Sequence, residues 1–293
     1  MSRVLVLGAT GTLGPHVVRA LQRKADGVRV LTRDAQHARD RLPHDVDIVV
    51  GDFRDDTIIR SVAAGMDSVL LLTPHAVDMA DVQLRLIRRL RRTSVRIVKI
   101  SGTSSAIQPD GPDACRQHWE VEQLLAASGH PMVILRPNAF MQTVLGQITA
   151  LAVRNTGKVP DALDGAGISF VDCDDIADVA AQCLLDAAHD GRTYVLTGPR
   201  AVSFAEVAAM ISTGTGSEVG TLPLLPADIK QSFLDRGTEE WEAEHFEEMY
   251  ELFRGHGSEF VSDDVTEVAA HPARTVEDYI AANTALFRQP ETT

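Results

Sequence analysis

The chain holds only three cysteines, three tyrosines and two tryptophans, and no long apolar run. Cys115, Cys173 and Cys183 stand far apart and form no C-x-x-C pair. That argues against a disulfide-stapled scaffold and fits a reduced, cytoplasmic compartment. No stretch approaches the roughly 20 apolar residues needed for a membrane-spanning helix, so no membrane partner is expected. A strand pattern begins already at Arg3, so no cleavable leader is expected either. No G-x-S-x-G elbow occurs, which argues against a serine-nucleophile hydrolase of that type. The ten histidines are scattered, and His118-x-x-x-Glu122 lacks further ligands at sensible spacing. No structural or catalytic metal is expected.

Basic charge is scarce beyond the first third. The formal net charge is -13, but residues 1–100 carry 17 Lys and Arg against 11 Asp and Glu, and the remainder 11 against 30. An acidic chain is a poor general binder of nucleic acid, so none is expected as a partner. The run Arg85, Arg88, Arg89, Arg91 and Arg92 reads as the solvated face of a helix. The basic first third suits a domain holding an anionic cofactor.

What is abundant is strand-helix alternation. Strands are expected at Val4–Leu7, Val28–Leu31, Val46–Val50, Ser68–Leu72, Val95–Ile100 and Met132–Leu135. Helical patterns lie between them, near Leu13–Arg23, Asp34–Arg41, Asp55–Ala64, Val77–Arg92 and Asp113–Ala127. Apolar strands with regular crossovers predict an α/β fold, a doubly wound parallel sheet of Rossmann type. Its ligand crevice lies beyond the carboxyl ends of the strands. After residue 136 the rhythm changes. Asn138–Arg154 reads as helix, and Asn155–Pro160 and Asp164–Gly167 as turns. Ile168–Val171 and Thr193–Leu196 read as short strands, with helices at Asp174–Leu185 and Ser203–Ile211. Thr238–Phe253 places Phe246, Met249, Tyr250 and Phe253 on one stripe opposite many glutamates, which is an amphipathic helix on an apolar bed. A final helix is expected over Val276–Phe287. These features give a dinucleotide-binding domain over 1–200, with about 138–167 contributing to the substrate cleft. A smaller α/β substrate-covering domain is expected over 201–293.

The first strand runs directly into Gly8-Ala9-Thr10-Gly11-Thr12-Leu13-Gly14. Gly8 permits a sharp turn, Gly11 removes a side chain where backbone meets a pyrophosphate, and Gly14 lets the helix pack on the sheet. Thr10, Thr12 and Leu13 complete the loop, and the helix N-terminus supplies N–H groups to the phosphates. At the end of the second strand an NAD site places a carboxylate on the ribose. Here Leu31-Thr32-Arg33-Asp34 offers Arg33 instead, suited to a 2′-phosphate, while Asp34 suits a helix cap. NADP(H) is therefore preferred, with NAD(H) permitted. Further contacts are expected after the other strands. Asp52 and Phe53 fall beside the adenine. Leu72, Thr73 and Pro74, with His75 beyond, fall beside the nicotinamide ribose. Ser101 and Thr103 face the nicotinamide and substrate, followed by Pro137, Asn138 and Phe140.

With those residues placed, the chain resembles the NmrA-like branch of the atypical short-chain dehydrogenase/reductases. The matching segments are Val6–Gly14, Val30–Asp34, Val50–Phe53, Leu71–Pro74, Leu135–Met141, Phe170–Ala177, Tyr194–Pro199, Val261–Val265 and Pro272–Thr275. The resemblance implies NADP(H) and a smaller C-terminal domain over the cleft. It implies reductases of quinone, dye, imine or enone type, with a few redox-sensing regulators that bind the nucleotide without turnover. Typical short-chain dehydrogenases use Tyr-x-x-x-Lys. The corresponding helix here offers Ala114 and His118, and the only tyrosines are Tyr194, Tyr250 and Tyr279. The expected activity is hydride transfer to a small quinone-like, enone, carbonyl or imine substrate without that dyad. The alternative is a nucleotide-sensing regulatory protein. His118, Ser101 and Thr103 are the candidate proton donors, His118 by its ordinary pKa. Lys99 either reaches the cleft or flanks the sheet. A homodimer is compatible with the sequence.

Overall fold

The central apolar runs become strands covered on both faces, whereas Asp47–Val50 at the sheet edge leaves Val50 exposed. Among the central strands Ser68–Leu71 has no residue that is even half-exposed. The computed structural model describes residues 2–55, 57–90, 93 and 95–289. Its first half alternates β1 (Arg3–Leu7), α1 (Gly14–Gln22), β2 (Gly27–Thr32), α2 (Ala35–Arg41), β3 (Asp47–Val50), α3 (Ile58–Val62), β4 (Ser68–Leu71), α4 (Met79–Leu90), β5 (Arg96–Ile100) and α5 (Asp113–Ala127). Then come β6 (Met132–Pro137), α6 (Met141–Thr143), a π-helical segment (Val144–Thr149), α7 (Ala150–Thr156), β7 (Lys158–Asp161), β8 (Gly167–Ile168), α8 (Cys173–Leu185) and β9 (Thr193–Leu196). The chain closes with β10 (Val202–Ser203), α9 (Phe204–Thr215), β11 (Gly220–Pro223), α10 (Pro226–Leu234), α11 (Glu240–Arg254), α12 (Asp264–Ala269) and α13 (Val276–Ala282).

Seven strands form one parallel sheet in the order β3-β2-β1-β4-β5-β6-β9. Strand order reverses between β1 and β4, so the loops after these two strands open the crevice of a doubly wound sheet. On one face, α1 buries Val17, Val18 and Leu21 beside Ile176 and Val179 of α8. On the other, Ile59, Leu86, Ile87, Leu90, Val121 and Leu125 from α3, α4 and α5 cover the sheet.

A second core gathers Met141, Leu145 and Val153 with Phe170, Phe204, Ile211, Phe253 and Phe287. It joins the segment after β6 to the C-terminal helices and so builds a wall beside the crevice. The chain does not divide cleanly there, because Val265 of α12 returns to the first core.

Some elements depart from expectation. Asn155–Pro160 was expected to be a turn; instead α7 runs to Thr156, Gly157 ends it in the left-handed region, and Lys158–Asp161 pairs in parallel with β11. The expected Asn138–Arg154 helix starts at Met141 and widens into the π segment. There Gly146 makes room for the Tyr279 hydroxyl, which a Cβ would strike. No expectation covered α10. Its Phe233 stacks on Phe246 of α11 at 4.4 Å, so α10 and α11 make a helical pair. Arg85 and Arg88 lie exposed on α4 as expected, whereas Arg91 and Arg92 fall outside the described residues.

Candidate active site

Gly8 sits at φ +72, a conformation that costs a side-chain-bearing residue dearly. A Cβ there would also lie 2.5 Å from the Leu72 carbonyl oxygen, so the turn after β1 and the end of β4 close on each other. Gly14 is equally constrained, since a Cβ would meet the Gly8 and Ala9 backbone. Gly11 faces open space apart from the Gly8 carbonyl, whose oxygen accepts its N–H at 3.2 Å. No side chain caps α1. Pro15 carries no N–H and the His16 N–H donates to the Leu13 carbonyl at 3.1 Å, so the loop ahead of the helix and the positive dipole end are what α1 offers an anion.

These loops border a cavity of about 630 Å³. Its floor is Gly8, Thr10, Gly11, Thr12 and Leu13. One end is formed by Thr32, Arg33, Asp34, His37, Gly51 and Phe53, the other by Leu72, Thr73, Pro74, His75, Phe140 and Thr143. The Asp34 carboxylate accepts from His37 N and caps α2, as the sequence suggested. Arg33 is exposed and forms no ion pair or side-chain hydrogen bond among the described residues. Loop amides over a bare glycine, a free guanidinium at one end and a long cavity between them fit a dinucleotide carrying a ribose phosphate.

Not every expected contact reaches that cavity. Asp52 turns its carboxylate onto the Arg54 N–H at 2.8 Å, and only its neighbours Gly51 and Phe53 line the wall. Gly14 and Pro137 are buried behind the lining. Asn138 is 2% exposed and fully engaged. Its Oδ1 accepts from Thr103 Oγ1 at 3.0 Å and Ser258 Oγ at 2.9 Å, while Nδ2 donates to Ser169 Oγ and the Ser258 carbonyl. Thr103 and Asn138 therefore tie the β5 and β6 loops to the C-terminal segment. The Ser101 hydroxyl donates to Glu122 Oε1 at 2.5 Å, and Glu122 Oε2 pairs with Arg136 at 2.5 Å. Both hydroxyls expected to give protons are thus spent on buried partners.

His118 has a different neighbour from the one its spacing suggested. Glu122, one turn along α5, is committed to Ser101 and Arg136. The Lys99 Nζ instead lies 2.7 Å from His118 Nδ1 and donates to the Ile100 carbonyl at 3.1 Å. Lys99 is wholly buried, and burial brings its ammonium down to about 7 against the opposing pull of Glu122. Burial, then the neighbouring Lys99, holds the His118 imidazole well below its usual value.

A third group was missed by sequence reasoning. His245 stands among glutamates in the sequence, yet it is 8% exposed and packs edge-on against His75 at 4.6 Å between ring centres. Trp241 meets the same His75 ring at 4.9 Å. His75 Nε2 and His245 Nδ1 are buried without a hydrogen-bond partner among the described residues. Burial lowers both imidazoles, His245 to about 4, so both are neutral at pH 7. The glutamates around His245 in sequence point along other faces of α11, and only the 170-residue jump in the fold brings it to His75. The three thiols are buried; burial raises Cys115 and Cys183 to about 12 and Cys173 further, leaving them inert. No cluster suited to a metal ion occurs among the described residues, and no helix among them is long and apolar enough to cross a membrane.

The sheet order and the glycine-lined cavity at its switch point define a Rossmann-type fold. The profile of the NmrA-like family matches residues 1–280, and the chain belongs to that family. It is 33% identical over 285 residues to an NAD(P)H azoreductase of Xenophilus azovorans, covering 97% of this chain and 99% of that one. Two solved structures share the fold. An NADPH-dependent quinone oxidoreductase of Escherichia coli complexed with NADPH superposes with a TM-score of 0.85 at 22% identity, over 96% of this chain and 99% of that one. The triphenylmethane reductase of Citrobacter sp. complexed with NADP(H) gives 0.83 at 20% identity, over the same shares.

Proposed function

We propose that this protein is an NADPH-dependent reductase of small conjugated acceptors, such as quinones, enones, imines, carbonyls or azo compounds. The observation that carries the reading is the long cavity with an uncapped helix terminus in the middle, unpaired Arg33 at one end and the His75–Phe140 region at the other. The NAD(P)H azoreductase relative supports it independently. Gly8, Thr10, Gly11, Thr12, Leu13 and the start of α1 hold the pyrophosphate, Arg33 the 2′-phosphate, and Phe53 flanks the adenine. Leu72, Thr73, Pro74 and Phe140 border the nicotinamide ribose and ring. Bound NADPH supplies a hydride equivalent.

The chain's own residues position the acceptor, keep water out and deliver one proton. α11 contributes by laying Trp241 and His245 over His75. Neutral imidazoles and an indole make an uncharged, aromatic lid, which favours a flat neutral acceptor over an anionic one. Of the three expected donors, Ser101 and Thr103 are hydrogen-bonded to buried partners, and the proton is assigned to His118, whose neighbour His75 lines the cavity. No tyrosine takes part in this scheme, because an acceptor whose reduced form is a stabilised anion needs only a late proton.

The test is NADPH oxidation by the purified protein against panels of quinones, azo dyes, enones, imines and aldehydes. Turnover on conjugated acceptors with NADPH favoured over NADH is the expected result. Tight coenzyme binding with no turnover on any acceptor overturns the enzymatic reading and favours a redox-sensing regulator.

A further inference from the structure

A fully buried lysine whose ammonium meets an imidazole rather than a carboxylate needs a reason, since burying an unpaired cation is costly. Lys99 sits on β5 with its Nζ held between the Ile100 carbonyl and His118 Nδ1. We propose that Lys99 is a positioning residue for the reduction: it donates to Nδ1, fixes His118 as the Nε2–H tautomer, and hands on the proton that His118 gives to the acceptor. This inference rests on the reductase reading above.

The chemistry follows from what surrounds the pair. His118 cannot itself hold an extra proton at neutral pH, because burial and the adjoining Lys99 ammonium disfavour the imidazolium. A neutral imidazole gives its Nε2 proton only if Nδ1 gains one at the same time. The Lys99 ammonium is in place to supply it. The acceptor takes a hydride and then the Nε2 proton, while a proton moves from Nζ to Nδ1; this leaves Lys99 as a neutral amine and His118 as the Nδ1–H tautomer, and a proton from water onto Nε2 then returns the Nδ1 proton to Nζ. The net change is consumption of NADPH, acceptor and one proton, and release of NADP⁺ and the two-electron-reduced acceptor.

The surroundings of the ring bear on these roles. Nδ1 faces Lys99, Cδ2 packs 3.5 Å from where a Gly102 Cβ would sit on the β5 loop, and His75, which acts electrostatically on His118, lines the coenzyme cavity. Lys99 and His118 thus take up from a strand and a helix the two tasks that Tyr-x-x-x-Lys performs from a single helix. Among the titratable groups, Glu122 of α5 and Arg136 of β6 act on Lys99 in opposite senses. His75 from the β4 loop and His245 from α11 act on His118, and Asp113 acts on both of those. Burial brings Lys99 to about 7, so the relay is charged below neutral pH and empties above it.

The experiment pairs nitrogen-15 NMR of the histidine rings with pH profiles of turnover, in the wild type, Lys99→Met, His118→Phe and the double variant. The wild-type His118 signals should report a Nε2–H tautomer with or without coenzyme. Turnover should fall as pH rises through about 7. Lys99→Met should lose tenfold or more in kcat, within the range of general acid catalysis, and lose that alkaline limb, with the Kd for NADPH held within about twofold. Its His118 should drift toward mixed tautomers and titrate at higher pH once the neighbouring cation is gone. The double variant should be no slower than His118→Phe, since the two act as a unit. A wild-type Nδ1–H tautomer, or a Lys99→Met enzyme that keeps the alkaline limb, overturns the proposal. If no acceptor is reduced by the wild type, the reductase reading falls, while the ring spectra still decide whether Lys99 sets the tautomer. If Lys99→Met does not fold, the wild-type tautomer and pH limb decide.

Discussion

Replacing Arg33 with alanine separates a coenzyme phosphate site from a decorative surface charge. Arg33 lines the cavity, is exposed, and has no ion pair or side-chain hydrogen bond to forfeit among the described residues. Its loss therefore leaves the fold untouched and acts only on what enters the cavity. A charge-assisted hydrogen bond contributes about 1.5–3 kcal/mol. Solvent screening at an exposed guanidinium reduces this to roughly 1–2 kcal/mol, a 5- to 30-fold weakening. Arg33→Ala should raise the Kd for NADPH by that factor and the Kd for NADH by less than about twofold. Quenching of protein fluorescence or enhancement of coenzyme fluorescence reads both constants in one titration. The difference should shrink as salt is raised, because screening already weakens the wild-type contact. Equal weakening of both coenzymes, or none of either, refutes the 2′-phosphate assignment.

Three other outcomes follow from named contacts. Gly8→Ala places a side chain at φ +72 and 2.5 Å from the Leu72 carbonyl oxygen; it should cost about 1–3 kcal/mol in urea unfolding and abolish coenzyme binding. Asn138→Leu strips partners from Thr103, Ser169 and Ser258 inside the protein; a loss of about 3 kcal/mol in the same assay is expected, and unchanged stability would contradict the buried network. His245 titrates near 4 when folded and near its ordinary 6.5 when unfolded. The unfolded chain then binds the extra proton between those values, so this stability is complete above about 6.5 and drains as pH falls toward 4. The loss is at most roughly 3 kcal/mol. Denaturation midpoints measured across that window should flatten in His245→Phe.

Much of the fold could be read from the chain because its signals are local. The Val4–Leu7 run, the glycines after it and the Val17, Val18, Leu21 stripe each lie within a few residues of their partners. Asp113–Ala127 is a helix with the bounds its pattern indicates. The β7–β11 pairing was illegible because its two strands are short and about 60 residues apart, and Gly157 with Pro160 mimics a turn. The cavity lining was largely legible for the same reason that strand ends are: the sheet rule places Gly8–Leu13, Arg33, Phe53 and Leu72–Pro74 together. Hydrogen-bond commitments were not. Nothing in the sequence near Asn138 foretells Ser258, and nothing near His245 foretells His75. Lys99 among Ile97, Val98 and Ile100 was visible as an oddity, but its partner required the packing of α5 on the sheet.

Isothermal titration of NADPH into the intact protein tests the central claim most directly, that the cavity at the β1–β4 switch point holds this coenzyme. One site per chain is predicted, with NADPH bound at least fivefold more tightly than NADH. No heat of binding from either coenzyme at millimolar concentration, with the protein verified as folded, would contradict it.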